Sequence, residues 1–323
     1  MNILMSGSGS GGHIYPCISL YKELIKENKI TLVIFKAIDK KIYELNNIKY
    51  TYIDDNLSPL KKIKEIRNIF KNNNVDMTMT FGGKNSFFIQ LVSKTLKVKS
   101  FIFEQNAIIG KANKVNLLFA DKMFTNFKIN HKKAIKIGNP NAYNIKVNKI
   151  NLFNNNKITL LITMGSLGSS SVNKVIENFI KNNKEYNIIY VTGNNVKTSL
   201  KNNEYLKIYD FYNPLTDLIN ISHIVITRAG ASTLSEIIYF NKPMIIIPSP
   251  YVANNHQEKN ANLLLKEKAC QVIFEKDLNI NILTSKIRNY SYNEDFYNKT
   301  IDNIKKCNCN VGFKELKDYL QLW

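Results

Sequence analysis

RAGASTLSEIIYFNKPMIIIPSPYVANNHQEKNAN, running from Arg228 to Asn262, decides how the rest of the chain is read. The small residues Ala229, Gly230 and Ala231, with Ser232 and Thr233, open a helix that carries Glu236 in its first turns and ends near Asn241. A strand follows from Pro243 to Ile247 and stops at Pro248, and a polar loop holds His256, Gln257 and Asn260. Unsatisfied N–H groups and hydroxyls at a helix start suit a phosphate. A carboxylate one turn later is placed to accept hydrogen bonds from sugar hydroxyls. The stretch reads as half of a nucleotide-sugar site.

Its counterpart lies at the other end of the chain. Asn2 to Met5 reads as a strand that runs into Ser6-Gly7-Ser8-Gly9-Ser10-Gly11-Gly12-His13. From Ile14 to Glu27 the apolar residues Ile14, Cys17, Ile18, Tyr21, Leu24 and Ile25 recur at helical spacing. The glycines therefore occupy a strand-to-helix turn, where backbone can approach a ligand closely. Strands are expected over Thr31–Phe35, Tyr50–Ile53, Met77–Phe81, Lys99–Glu104 and Asp121–Asn126. The strand at 77–81 ends in a second turn, Gly82-Gly83-Lys84-Asn85-Ser86, and the one at 99–104 in Glu104-Gln105-Asn106. After Gly138-Asn139-Pro140 a polar linker spans 141–156. Lys157 to Met164 and the turn Gly165-Ser166-Leu167-Gly168 then repeat the opening device ahead of a helix over 172–181. The expectation is an α/β chain of two Rossmann-like domains, 1–140 and 157–305, facing across a cleft. The segment 306–323 carries an apolar face of Phe313, Leu316, Tyr319 and Leu320 and is expected to cross back onto the first domain.

Composition narrows the function. The 323 residues are 44% apolar, enough for a substantial core. Lys and Arg number 45 against 25 Asp and Glu, a formal net charge of +20. That excess suits nucleic acid, an anionic membrane or a phosphorylated substrate, or is simply a solvated face. No RNA-binding motif or clustering of aromatics among the lysines supports a nucleic-acid partner. Polar, glycine-rich sequence directly after Met5 argues against a secretory signal, and the apolar runs are only strand-length. Cys17, Cys270, Cys307 and Cys309 form neither a disulfide framework nor a zinc spacing, and His13, His131, His223 and His256 show no ligand spacing. Neither a Walker lysine motif nor a dinucleotide fingerprint is present, which disfavours a kinase, an NTPase or a dehydrogenase.

Three further readings remain open on the residues alone. His13, at a ligand-facing turn, is either a base for an acceptor hydroxyl or a structural histidine. Glu104 is either an alternative base or the organiser of its loop. The basic amphipathic segment with Leu57, Leu60, Lys61, Lys62, Ile63 and Lys64 either packs a helix on the sheet or lies against a membrane.

The ordered set of motifs resembles the MurG-type transferases, which add N-acetylglucosamine to lipid I in peptidoglycan synthesis. Ser8-Gly9-Ser10-Gly11-Gly12-His13-Ile14-Tyr15-Pro16 is similar to their first glycine loop. Glu104-Gln105-Asn106 with Gly110, Asn113 and Lys114 follows in order, as do Gly138-Asn139-Pro140 and Gly165-Ser166-x-Gly168. Arg228-x-Gly230-Ala231-Ser232-Thr233-x-Ser235-Glu236 and His256-Gln257-x-x-Asn260-Ala261 are the most specific matches. The resemblance implies a GT-B fold, UDP-N-acetylglucosamine as donor, and inversion at the anomeric carbon. It implies no cofactor, with a divalent ion not indicated, and a peripheral position on the anionic cytoplasmic face of the plasma membrane. It places Ser10, Gly11, Gly12 and Asn106 near the donor sugar and the acceptor, Ser166 at the UDP phosphates or uridine, and Tyr212 at the uracil. Ala231, Ser232, Thr233, Leu234, Ser235 and Glu236 would hold diphosphate and ribose, with Gln257 and His256 at the sugar. His13 is the candidate base for the C4 hydroxyl of N-acetylmuramic acid. Ser8 and Ser10 stand where the family has glycine and threonine, and Asn141 and Ala142 where an arginine is common. Another GT-B enzyme of UDP-sugars, a glycolipid transferase or an epimerase, is the alternative.

Overall fold

The computed structural model describes residues 1–9, 11–143, 145–166, 168–307 and 313–321. The chain divides into two units: Met1–Tyr143 with Asn310–Trp323, and Asn144–Cys309.

In the first unit the described strands are β1 (Asn2–Ser6), β2 (Lys29–Ile34), β3 (Thr51–Tyr52), β4 (Met77–Thr80), β5 (Lys99–Glu104), β6 (Lys122–Thr125) and β7 (Ala134–Lys136). They form one parallel sheet in the order β3-β2-β1-β4-β5-β6-β7. The central strands are buried on both faces, so they read as continuous apolar or small runs rather than alternating ones. The order reverses between β1 and β4, and crevices for ligands open at such a reversal. Both glycine turns of this unit, after β1 and after β4, flank that point.

The helices are α1 (Gly11–Leu24), α2 (Ala37–Leu45), α3 (Pro59–Asn73), α4 (Ser86–Thr95) and α5 (Lys111–Asn116). Ser58 caps α3 by accepting the Lys61 N–H, with Pro59 at the first helical position, and Asn74 ends the helix in the left-handed region. The second unit repeats the plan with β8 (Thr159–Thr163), β9 (Asn187–Val191), β10 (Leu206–Tyr209), β11 (Ile224–Thr227), β12 (Met244–Ile246) and β13 (Gln271–Val272). Their order is β10-β9-β8-β11-β12-β13, all parallel, with the reversal between β8 and β11. Around them lie α6 (Ser170–Lys181), α7 (Leu215–Ile221), α8 (Ala231–Tyr239), α9 (His256–Lys266), α10 (Ile280–Ser291) and α11 (Glu294–Cys307).

Two elements escape the sequence pattern. β7 is three half-buried residues, and α2 buries Asp39 and Tyr43 while Ile38 and Leu45 face solvent. A buried acid and exposed aliphatics invert the usual helical signature. The segment expected to be a polar loop around His256 is instead the start of α9. Asn254 and Asn255, both left-handed at φ 57° and 51°, turn the chain into it.

The last helix, α12 (Phe313–Gln321), belongs to the first unit. Leu316 and Leu320 join the core of Ile3, Met5, Phe101 and Phe124, and the Tyr319 ring meets Phe124 edge-on at 5.6 Å. Lys317 pairs with Glu27 at 2.6 Å. Leu316→Ala is expected to cost the first unit about 2–4 kcal/mol. Hydrogen exchange in urea should show the amides of β1 and β2 losing protection while those of β8 and β11 keep theirs.

Candidate functional site

Each unit presents its own half-site at its reversal point. In the first, Gly82 and Gly83 adopt φ +95° and +87° directly after β4. A Cβ on Gly82 would lie 2.8 Å from His13 Nε2, and one on Gly83 would lie 3.0 Å from the Ser8 carbonyl oxygen. Glycine is required at both for the two turns to touch. Between them is a cavity of about 180 Å³ lined by Ser8, Gly9, His13, Lys36, Lys84 and Asn85, among others.

His13 is the third residue of α1 and half-buried. Its Nδ1 stands 3.3 Å from the Ser8 carbonyl. Burial pulls its pKa below the usual histidine value, opposed by the Ser8 hydrogen bond and the charges of Glu104 and Asp39, and abetted by Lys36. The neutral, proton-accepting imidazole is thereby favoured. Gly11 and Gly12 are the exposed first residues of α1, while Ser10 lies outside the described residues.

Glu104 does not present a base. One carboxylate oxygen accepts the Asn106 N–H at 3.1 Å and its Nδ2 at 3.3 Å, and the other accepts the Gly110 N–H and Asn113 Nδ2, each at 2.9 Å. Four donors on a buried carboxylate make it the organiser of the loop from 104 to 113. That loop is joined to the second glycine turn, because Gln105 Nε2 donates to the Phe81 carbonyl at 3.3 Å. Asp39 and Tyr43 were not legible as site residues. Asp39 accepts the Ser8 hydroxyl and the Gly9 N–H, and the Tyr43 hydroxyl donates to the Gly7 carbonyl at 2.5 Å.

The segment with the docking candidates is divided. Leu60, 79% exposed, stands in the first turn of α3 with Lys61 and Lys64 exposed. Leu57 and Ile63 pack against the core of Ile66, Phe70 and Ile89. Lys62 is not at the surface: its Nζ bonds the Asp55 carbonyl at 2.7 Å and carboxylate at 3.2 Å, and Asn85 Oδ1 at 3.1 Å. An ammonium with three acceptors braces the second glycine turn and is unavailable to a lipid.

In the second unit β11 leads through Arg228, Ala229 and Gly230 into α8. The first bond of α8 runs from Leu234 N–H to the Gly230 carbonyl, so the N–H groups of Ala231, Ser232 and Thr233 precede the ladder. Leu234 is wholly buried, and the Ser235 hydroxyl donates to the Ala231 carbonyl at 2.8 Å. The side chains of Leu234 and Ser235 are thus engaged within the fold, the first in the core and the second along the helix. Glu236 is half-buried in the second turn, and burial alone pushes its carboxyl up to about 7.

Arg228, which sequence reading assigned no function, ties this turn to its neighbours. It donates to the Ile247 carbonyl at 3.0 Å and the Ser169 hydroxyl at 2.7 Å, and pairs with Glu275 at 2.7 Å. Gln257 Oε1 accepts the N–H groups of Ala229 at 3.3 Å and Ser249 at 2.9 Å, and Asn260 Nδ2 donates to the Ala229 carbonyl at 3.1 Å. His256 Nδ1 stands 2.8 Å from the Ala253 carbonyl. Ser166 is exposed on the turn after β8, with its carbonyl held by the Asn194 N–H. Tyr212 follows β10, its ring edge-on to Tyr209 at 5.0 Å. No group of three or more His, Cys, Asp and Glu among the described residues has the geometry to hold a metal.

Comparison with known proteins follows this geometry. Residues 3–125 match the glycosyltransferase family 28 N-terminal domain and 159–316 its C-terminal domain. The UDP-N-acetylglucosamine--N-acetylmuramyl-(pentapeptide) pyrophosphoryl-undecaprenol N-acetylglucosamine transferase of Thermoanaerobacter sp. (strain X514) is 33% identical, with 95% of each chain covered. The protein of the same name from Caldicellulosiruptor saccharolyticus is 30% identical over 100% of this chain and 99% of its own. The crystal structure of Acinetobacter baumannii MurG shares the fold, with a TM-score of 0.81 over 100% of both chains at 18% identity. The chain therefore belongs to glycosyltransferase family 28, among its MurG-type N-acetylglucosamine transferases, and has their GT-B fold.

Proposed function

We infer that this chain is an inverting hexosyltransferase that moves N-acetylglucosamine from UDP-N-acetylglucosamine to the C4 hydroxyl of N-acetylmuramic acid in lipid I. The product is lipid II, the precursor of the peptidoglycan that gives the cell its shape and allows it to divide. The observation that carries this reading is the full-length kinship with such transferases, joined to a strand–glycine turn–helix half-site in each unit.

In this reading the N–H groups of Ala231, Ser232 and Thr233, with the hydroxyls of the last two, hold the departing diphosphate as its charge develops. Glu236 accepts the ribose hydroxyls, and Ser166 and Tyr212 bound the nucleotide. Gln257 offers its amide N–H₂ to the sugar because its oxygen is occupied. His13 takes the proton of the C4 hydroxyl as the new glycosidic bond forms and UDP leaves. Gly11, Gly12 and Asn106 shape the acceptor side. The kinship with MurG-type transferases, whose acceptor is a polyprenyl lipid, supports a peripheral position on the inner leaflet; no helix among the described residues is long and apolar enough to cross a membrane. Leu60 enters the interface and Lys61 and Lys64 meet anionic headgroups.

UDP release is expected from UDP-N-acetylglucosamine only when a lipid I analogue is supplied. Release with diacylglycerol instead, or epimerisation of the donor alone, would overturn the assignment. In that assay His13→Ala should lower kcat about 100-fold or more while leaving the KM for UDP-N-acetylglucosamine within about threefold.

Glu236 gives a pH signature. Its ionised form is the acceptor of ribose hydroxyls, so donor affinity by calorimetry should rise between pH 6 and 8, through the carboxyl pKa of about 7. A flat profile removes Glu236 from the ribose. Stability runs the other way. The folded pKa stands above the ordinary 4.5, so ionisation opposes folding, and stability falls as pH rises from 4.5 through about 7. Ligand-free Glu236→Gln protein should therefore be more stable than the parent at pH 8, by roughly 1–2 kcal/mol after allowing for solvent screening at this half-buried site.

Docking is tested by sedimentation with anionic vesicles. Replacing Leu60 by Glu with Lys61 and Lys64 by Ala should weaken binding by ~2 kcal/mol or more, about 1 kcal/mol coming from each lysine. Undiminished binding would place the membrane surface elsewhere.

A further inference from the structure

Asp39 is only 2% exposed, and the reaction above gives it no role. It is the third residue of α2, where the helix dipole favours a carboxylate. Its Oδ2 accepts the Ser8 hydroxyl and, at 3.0 Å, the Gly9 N–H. The Ser8 hydroxyl oxygen in turn accepts the Phe35 N–H at 3.4 Å, which anchors it to the end of the neighbouring strand.

A trans peptide carries its C=O and N–H on opposite sides of one plane. Holding the Gly9 N–H on Asp39 therefore turns the Ser8 carbonyl to the other side, where it meets His13 Nδ1 at 3.3 Å. Gly83 makes room for this carbonyl, since a Cβ there would come within 3.0 Å of it. A carbonyl oxygen only accepts, so Nδ1 carries the proton and Nε2 the lone pair.

We propose that Asp39 is a positioning residue for His13: by gripping the Ser8–Gly9 peptide it fixes the tautomer and aim of the imidazole, so that Nε2 receives the acceptor's proton. The catalytic part of this proposal rests on the reading of His13 as the base. The charge of Asp39 acts in the same direction as its geometry. The groups bearing on His13 are Asp39 from α2 and Glu104 from the end of β5, which raise its pKa, and Lys36 from the loop before α2, which lowers it together with burial. Lys84 lines the same cavity but is paired with Asp55 at 3.3 Å.

The test uses the full chain with ¹⁵N-labelled histidine. Asp39→Asn keeps the size of the side chain and one oxygen that can stand in the place of Oδ2, accepting both the Ser8 hydroxyl and the Gly9 N–H, and removes only the charge. Asp39→Ala removes the grip altogether. For both, thermal unfolding establishes that the protein is folded. The expected result for Asp39→Ala is a kcat lowered about 10- to 100-fold with the KM for UDP-N-acetylglucosamine unchanged within about twofold, and for Asp39→Asn a smaller loss of kcat. In both variants the acid limb of the kcat/KM profile should move to lower pH as the charge is lost, and in Asp39→Ala the His13 ¹⁵N shifts should change from a single Nδ1–H pattern to a mixture of tautomers. A merely structural role would leave limb and tautomer in place. Folded Asp39→Ala protein with unchanged kcat, limb and tautomer overturns the proposal. Should His13→Gln prove as active as the parent, the base reading falls, and the ¹⁵N pattern alone then decides whether Asp39 positions the ring.

Discussion

The first half-site depends on the contact between the His13 ring and the bare backbone of Gly82. A Cβ on that glycine would lie 2.8 Å from Nε2, so the contact exists only because the residue has none. It also requires β1 and β4 to lie side by side and to stop at the same level, as their register does by pairing Ser6 with Thr80. A slip of one residue would turn every side chain of the strand to the other face and separate the two turns. The surrounding polar groups hold this contact from behind. Asp39 and Tyr43 grip the first turn from α2, Lys62 braces the second from α3 through Asn85, and Gln105 links the second to the end of β5.

The same constraint recurs in the second unit with different chemistry. β8 and β11 end together, with Thr163 beside Thr227, and their turns are joined through Arg228 rather than through a ring on a glycine. Gly168 shows how tight the first of these turns is, since a Cβ there would stand 2.4 Å from the Thr192 carbonyl. Here the fold accepts a cost at Glu236. The pKa of this half-buried carboxylate is raised by burial, with no compensating partner among the described residues. Such a group opposes folding at neutral pH, and in the function proposed above it gains partners when the ribose hydroxyls reach it. Strain of this kind at a site, and not in the core, is what a binding function leaves behind.

The architecture was legible because its signals are local. Each strand with its following glycines and each helical apolar period stands in one short window, and the repeat of the device at Ser6 and at Gly165 gave the two-domain plan. What was illegible depends on distant partners. On sequence Glu104 is either a base or the organiser of its loop, and only the return of Gly110 and Asn113 onto its carboxylate favours the second. Lys62 looked like part of a docking face, but Asp55 and Asn85 enclose it. α2 gave no helical pattern because the residue it most needs to bury is an aspartate, whose reason lies 31 residues earlier at Ser8. His256 and Gln257 read as loop residues although they open α9, since left-handed asparagines before a polar first turn carry no apolar period; of the two, Gln257 meets the turn at Ala229.

The same distinction applies to the net charge of +20. Charge read as composition suggests a single field, but many of the cations are committed within the fold. Lys133 Nζ holds the carbonyls of Leu117 and Ala120 at 2.8 and 2.6 Å, Lys157 that of Lys184 at 2.8 Å, and Lys242 that of Asn220 at 2.8 Å. Such lysines satisfy loop and helix-end carbonyls that would otherwise need water or a glycine cap. Their charge still contributes at long range, but at a Debye length near 8 Å it is the unengaged ammonium groups beside an apolar side chain that meet a surface. On α3 this leaves Lys61 and Lys64 as the exposed lysines nearest to Leu60, while Lys62, between them in sequence, is turned inward onto Asp55 and Asn85. Burial, and not the count of lysines, separates a charge that recognises a partner from one that holds the fold.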